Sequence, residues 1–167
     1  MALQLFKIAD VTVQTPQSSI DFQNIPSGYT DLKVVVSPRT DYSSFLDLNM
    51  YLNGNASSGY SYIRLYGDGG AVASNNSTAA GVIPSPTVGV AQTTNTFSSN
   101  EFYIPNYTSS NYKSVLADGV TENNAASSYV TFTAGLSTLT SAITRVTFGL
   151  GAGNFVAGST ATLYGVL

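Results

Sequence analysis

The chain has 167 residues, of which 43% are hydrophobic, so it can form one domain with its own core and disorder is not expected. Only 9% are charged, against about 25% in an average domain, and Ser, Thr and Asn supply about a third of the chain. The net charge is −3 and the six Lys and Arg residues are scattered, which argues against nucleic acid as a partner. The absence of Cys excludes disulfides and thiolate metal sites, and the absence of both Cys and His excludes Ser-His-Asp and Cys-His catalysis.

The N-terminal segment contains strand-forming residues at positions 3–13 and 19–22. It lacks the basic start of a signal peptide, and no stretch of the chain approaches the ~18 uninterrupted apolar residues of a membrane span. We therefore expect neither a leader nor a membrane partner. Residues 1–17 are predicted to form an N-terminal arm or a strand that contacts a partner.

The clearest strand pattern is in residues 46–53, where apolar side chains such as Leu48 and Met50 alternate with polar ones. Asn53-Gly54 follows directly, and this dipeptide is typical of a tight β-turn. Residues 60–66 alternate as well and end at a Gly-rich stop. These two segments are predicted to pair as a hairpin.

The predicted hairpin carries four tyrosines that are candidates for one exposed interaction face. They are Tyr51, Tyr60, Tyr62 and Tyr66. Tyrosine is enriched at interfaces and stacks on sugars, which favours a binding role. Tyrosine also pairs well across strands, so a purely structural role remains the alternative.

Residues 72–96 are rich in Ser, Asn, Thr and Ala and contain Pro84 and Pro86. They indicate either a long loop with a binding role or a partly stranded crossover of a Greek-key or jelly-roll fold. Further strands are predicted at 32–37, 102–104, 114–117, 129–134, 144–150 and 160–167, with Asp118-Gly119 as a turn. About nine or ten short strands in one chain predict an all-β fold. We expect a single domain over residues 1–167, an antiparallel β-sandwich of the jelly-roll type.

No pattern of catalytic or ligand-binding residues stands out. The glycines of segment 149–153 resemble a phosphate loop, but no helix follows and a turn explains them. Nothing in the sequence pairs two of the nine acidic residues, as a glycosidase would require. Segments 41–47 and 67–69 offer one or two oxygen ligands for calcium, fewer than a site needs. The chain is therefore predicted to be no enzyme and to hold no catalytic, cofactor or metal site.

One long segment resembles a known class of proteins. Residues 20–36, Ile-Asp-Phe-Gln-Asn-Ile-Pro-Ser-Gly-Tyr-Thr-Asp-Leu-Lys-Val-Val-Val, resemble an opening that recurs in small structural proteins of tailed bacteriophages. Leu52-Asn-Gly54, Tyr60-Ser-Tyr62 and the ending at 158–166 look like later parts of the same pattern. The resemblance spans the chain from about residue 19 onward and carries no active-site motif.

The resemblance implies a virion protein that is assembled in the host cytoplasm. Its most specific form is a capsid decoration (cement or knob) protein that binds the major capsid protein or other virion proteins, as a homo-oligomer, with a trimer favoured and a dimer open. The alternative is a tail, fibre or receptor-binding domain that recognises host-surface glycans. A non-viral carbohydrate-binding module or small hydrolase is a third possibility, against which the absence of Trp and His argues.

Overall fold

The computed structural model describes residues 4–56, 58–80, 83–87, 89, 91–121, 124 and 128–167, with the backbone alone for 79–80 and 83–84. These residues form twelve β-strands and no helix. The strands are β1 (Leu5–Thr12), β2 (Ser19–Phe22), β3 (Asp31–Ser37), β4 (Leu46–Leu52), β5 (Tyr60–Gly67), β6 (Val72–Ala80), β7 (Ile83–Thr87), β8 (Ser99–Ile104), β9 (Lys113–Val120), β10 (Val130–Ser137), β11 (Val146–Leu150) and β12 (Thr160–Val166).

The strands form two antiparallel sheets that pack face to face, so the predicted all-β sandwich is confirmed. The larger sheet has eight strands in the order β1-β12-β3-β8-β9-β10-β5-β6, and the smaller has four in the order β2-β11-β4-β7. The first four strands of the larger sheet and the four of the smaller one have the order of a jelly roll, with the first four strands of the chain alternating between the sheets.

Two insertions widen this jelly roll on one side. The β5–β6 hairpin is inserted between β4 and β7, and the β9–β10 pair is inserted between β8 and β11. All four strands join the larger sheet beside β8. The edge strand β7 of the smaller sheet lies against β9 and β10, so the larger sheet extends beyond the smaller one by β5 and β6.

The core lies between the two sheets where they overlap. The larger sheet contributes Leu32, Val34 and Leu163, all of them fully buried, and the smaller sheet contributes alternate residues of β4 and β11. The rings of Phe102 and Phe148 meet across the sandwich with centroids 5.0 Å apart. In β3, β4, β8 and β12 every second side chain is therefore buried, which is the alternation of a half-buried strand.

The predicted hairpin between residues 46–53 and 60–66 is wrong. The turn itself forms, since Asn53 and Gly54 adopt φ values of 51° and 75° and the Asn55 amide donates to the Leu52 carbonyl at 3.0 Å. β4, however, pairs with β11 on one side and β7 on the other, so it has no free edge for β5. The chain crosses to the larger sheet, where β5 pairs with β10 and β6.

Three other predictions can be compared with the structure. Segment 72–96 contains β6 and β7, so the stranded crossover is the correct alternative. Asp118-Gly119 is no turn, because β9 continues through it to Val120, paired on both sides. In the segment 1–17, residues 1–3 lie outside the described residues, and β1 is an edge strand paired with β12. Whether β1 contacts a partner stays a prediction.

Candidate functional site

One side of the larger sheet carries a continuous exposed apolar surface on β9, β10, β5 and β6. We call it the outer apolar face and define it by Ile63, Leu65, Val72, Leu116, Val120, Val130, Phe132 and Leu136, which are 39–86% exposed. The register places Phe132 beside Leu65 and Val130 beside Val120. The apolar side chains are therefore neighbours from strand to strand, with Asp118 among them opposite Phe132.

The outer apolar face is large for an isolated chain. With ordinary residue surface areas, the exposed fractions of these eight residues correspond to a total exposed area on the order of 800 Å². The largest apolar patch on a typical monomer measures about 300–600 Å², and a standard protein–protein interface buries about 800 Å² on each partner. The face thus has the size of one half of a stable interface.

β10 buries its polar side and exposes its apolar side, the reverse of an ordinary sandwich strand. On β10 the small polar residues Thr131 and Thr133 are buried while the apolar residues point outward. The reason is the close approach of β7. A Cβ added at Gly119 of β9 would lie 2.3 Å from Asn100 Oδ1 and 2.6 Å from Ser85 Oγ, so no side chain fits at this position.

A second candidate lies where the larger sheet extends past the smaller one. This overhang groove has a volume of about 350 Å³. It is lined by Phe45, Leu46, Asp47, Arg64, Tyr66, Pro86, Tyr129 and Thr131. The rings of Phe45 and Tyr129 meet edge to face with centroids 4.8 Å apart, at an angle of 63°. Aromatic rings and charged groups thus share one concave surface.

Arg64 is the central polar residue of the overhang groove. Its Nη1 lies 2.5 Å from Asp47 Oδ1, and its Nε donates to Asn75 Oδ1 at 3.2 Å. The guanidinium carbon lies 5.6 Å from the centroid of the Tyr66 ring, within the range of a cation–π contact. Three partners hold this side chain in one orientation at the groove.

Thr131 adds a buried hydroxyl to the groove. The residue is 4% exposed, and its Oγ1 has no hydrogen-bond partner among the described residues. A buried hydroxyl without a partner costs about 1–3 kcal/mol, so such groups are rare in proteins. A ligand hydroxyl or a water at this end of the groove would satisfy it.

The four predicted tyrosines do not form one exposed face. Tyr60 is 2% exposed, and its hydroxyl accepts from the Leu52 amide at 2.8 Å and donates to the Asn55 carbonyl at 2.9 Å, so it belongs to the core. Tyr51 lies on the other sheet, with its ring against Gly149. Tyr62 and Tyr66 share the inner side of β5 with Tyr60, and only Tyr66 lines the overhang groove.

The prediction failed because burial of the first residue of β5 determines the orientation of all the others. With Tyr60 inside, Tyr62 and Tyr66 turn inward, and Ile63 and Leu65 turn toward solvent at 62% and 52% exposure. The alternating pattern was visible in the sequence. The alternation does not show which of the two sides of the strand is buried.

Two acidic residues that the sequence did not pair are neighbours in the sheet. Glu101 of β8 lies directly opposite Asp118 of β9, and Lys33 Nζ contacts Glu101 Oε1 at 2.8 Å. Burial raises the pKa of Asp118, and the charge of Glu101 raises it further. Both lie on the outer side of the sheet, Asp118 between Leu116 and Val120 of the outer apolar face, and among the described residues no group of three or more His, Cys, Asp or Glu could hold a metal ion.

No protein-family model, curated protein or solved structure matches this chain. Within the described residues there is no helix of the length and hydropathy needed to cross a membrane.

Proposed function

We propose that this chain is a structural component of a virion, specifically a capsid decoration protein that binds the capsid surface through the outer apolar face. The carrying observation is that face, with about 800 Å² of contiguous apolar surface on a charge-poor sheet. The resemblance of residues 20–36 to phage structural proteins and the jelly-roll topology support the same conclusion.

The residues of the outer apolar face indicate what kind of surface the partner has. The eight side chains have no charge, but Asp118 lies among them on β9, directly opposite Phe132, and Glu101 and Lys33 lie beyond it on β8 and β3. The partner surface, on the major capsid protein or another virion protein, is therefore largely apolar and offers a polar group to Asp118. Because burial of apolar area drives such contacts, attachment depends little on salt.

The test is attachment to particles. Purified virions are analysed for the copy number and position of this chain, and stripped particles are then incubated with the wild type and with the double variant Leu65→Ser/Phe132→Ser. We expect many copies over the capsid and loss of rebinding by the double variant. Both positions are about half exposed, so the fold tolerates the change.

Leu5→Ser is the matched control, because Leu5 is 47% exposed on β1, at the opposite edge of the same sheet. The control is expected to rebind like the wild type. A few copies confined to the tail would contradict the decoration role. Loss of rebinding by Leu5→Ser alone would move the attachment site to β1.

The overhang groove supports a second candidate function, recognition of host-surface glycans by a tail or fibre domain. Protein sites for sugars combine aromatic rings with hydrogen-bonding groups. Here Tyr66 and Tyr129 accompany Arg64, Asp47 and the hydroxyl of Thr131, which has no hydrogen-bond partner in the described part of the chain. A glycan array tests this function. Binding that is lost in Tyr66→Ala and kept in Tyr42→Ala, whose ring is exposed outside the groove, would favour it over decoration.

A further inference from the structure

The two sheets end in four edge strands within the described residues, and three of these are protected against pairing with another chain. β1 carries Lys7 and Asp10 and has a bulge between residues 7 and 9. β2 has only four residues. β7 contains Pro84 and Pro86, which have no N–H to donate. Charges, bulges, short length and proline are the usual means by which proteins blunt a sheet edge.

β6 has none of the usual edge protections along most of its length. Its nine residues, Val-Ala-Ser-Asn-Asn-Ser-Thr-Ala-Ala, include no charge and no proline. Pairing with β5 is regular from Val72 to Ser77, and an irregularity occurs only at the far end, opposite residues 60–62. A long, uncharged and regular edge strand is a template for pairing with another strand.

The backbone groups that β6 offers can be identified from the hydrogen bonds of β5. The Thr138 amide donates to the Gly59 carbonyl at 2.8 Å, so residue 59 forms a hydrogen-bonded pair with the strand that contains β10. Such pairs recur at every second residue of an antiparallel strand, so the backbone groups of the odd-numbered residues of β5 bond to β10 and those of the even-numbered residues bond to β6. The Asp68 amide, which donates to the Ala71 carbonyl, follows the same alternation. Residues 73, 75 and 77 therefore face β5, whereas the N–H and C=O groups of 72, 74 and 76 point away from the sheet.

A second copy of the chain fits this edge. In antiparallel pairing about a two-fold axis, a strand meets itself, so any charged residue close to the axis would face its own image. β6 has no charge, and its centre consists of Ser and Asn, whose side chains can hydrogen-bond across the pair. With Ser74 on the axis, Val72 lies opposite Asn76, and residues 72, 74 and 76 of the two copies form about six backbone hydrogen bonds.

We propose that two copies pair antiparallel along β6 and join their larger sheets into one continuous sixteen-stranded sheet. The two-fold axis is perpendicular to the sheet, so both outer apolar faces lie on the same side and together span on the order of 1,600 Å². This pairing involves a different surface from the one proposed for capsid attachment, and it holds whether or not that function is correct. It favours the dimer over the trimer that the resemblance implies.

The test measures the mass and the amide exchange of the purified chain. Light scattering after size exclusion is expected to give twice 17.5 kDa for the wild type and 17.5 kDa for Ser74→Pro, which removes an outward N–H and leaves the bonds to β5 intact. Ser74→Lys, which places like charges face to face at the axis, is expected to give a monomer as well. It keeps the test valid if the proline variant fails to fold.

Ser114→Lys is the control for the added charge, since Ser114 is exposed on the same side of the sheet but on β9, which is paired on both sides. It is expected to remain a dimer. Hydrogen exchange gives the independent readout: the amides of Ser74 and Asn76 are protected in the dimer and exposed in Ser74→Lys, whereas those of Ala73 and Asn75 stay protected in both.

Three outcomes would overturn the proposal. A wild-type monomer at high concentration would exclude pairing between copies of the chain. A trimer, or a dimer that survives Ser74→Lys, would place the contact between copies elsewhere. Unchanged exchange at Ser74 and Asn76 between dimer and monomer would exclude β6 as the interface. Attachment to particles is measured separately, so failure of one proposal does not decide the other.

Discussion

Asn53 stabilises the turn after β4 through its backbone and its side chain together. Its φ of 51° lies in the left-handed region, which Asn and Gly tolerate better than other residues. Its Oδ1 accepts from the amides of Thr144 and Arg145 at 2.9 and 3.1 Å, and its Nδ2 donates to the Ala142 carbonyl at 2.8 Å. The turn is thereby joined to the segment that leads into β11.

We expect Asn53→Gly to lower the free energy of unfolding by about 2 kcal/mol through loss of the side-chain bonds, and Asn53→Ala by about 1 kcal/mol more because Ala disfavours the left-handed conformation. Urea unfolding of the three proteins measures both steps. Equal losses of unfolding free energy in the two variants would mean that the left-handed backbone conformation contributes nothing to the difference. An unchanged free energy in both would mean that the side-chain hydrogen bonds contribute nothing either.

Two of the six cationic residues serve as internal supports for loops. Lys113 is 1% exposed, and its Nζ donates to the carbonyls of Ser109 and Asn111 at 2.7 and 2.5 Å. Arg39 is 7% exposed and donates to the carbonyls of Thr93 and Thr96 at 2.9 and 2.8 Å. Burial lowers the pKa of both side chains. The sequence shows only scattered cations, because their carbonyl partners are distant or carry no residue-specific signal.

For a single strand, the sequence predicts that the strand exists and where it lies in the chain, but not which of its two sides is buried. Residues 46–53 and 129–134 alternate in the sequence, and both are strands. In β4 the apolar residues are buried, as in an ordinary sandwich strand. In β10 the same kind of alternation has Phe132 exposed and Thr131 buried on the side that lies against β7. The outer apolar face, and with it the main candidate site, could not be derived from the pattern.

Gly165 of β12 shows how one strand depends on a close contact with a loop residue. A Cβ at this position would lie 2.2–2.5 Å from ring atoms of Tyr29, so the ring rests directly on the glycine backbone. We expect Gly165→Ala to displace the ring and to lower the free energy of unfolding by about 1–3 kcal/mol. Thermal and urea unfolding measure the loss.

Gly151→Ala is the matched control, because a Cβ there meets nothing within 4 Å. It is expected to change stability by less than about 0.5 kcal/mol or to raise it slightly. A Gly165→Ala variant as stable as this control would show that Tyr29 can move aside without cost.

At the scale of the whole molecule, the response to pH follows from the carboxyl groups, since the chain has no His. Burial alone would raise the pKa of Asp21, but hydrogen bonds from Arg145, Thr147 and Gln23 outweigh it and lower the pKa. The Asn154 amide lowers the pKa of Asp41 in the same way. In these two groups the folded state holds the proton less tightly than the unfolded state does.

A lowered folded-state pKa contributes stability above the unfolded pKa, and this contribution is lost as the pH falls through the folded value. We expect the free energy of unfolding to be nearly constant between about pH 6 and 7 and to decrease below about pH 4. Urea midpoints across this range measure it, and Asp21→Asn should show a shallower acid decrease. Asp118, whose pKa is raised, acts in the opposite direction, so a midpoint that increases below pH 4 would contradict the dominance of Asp21 and Asp41.

The sequence alone determined that this protein is a sandwich of short antiparallel strands, because alternation and turn residues act over a few neighbouring positions and need no distant partner. Tertiary structure decided which sheet each strand joins, which side of it is covered and which edge stays open. Those properties depend on strands far apart in the chain: β11 and β7 exclude β5 from β4, and the approach of β7 turns the apolar side of β10 outward. The exposed face and the free edge of β6 arise from that packing and have no local signal.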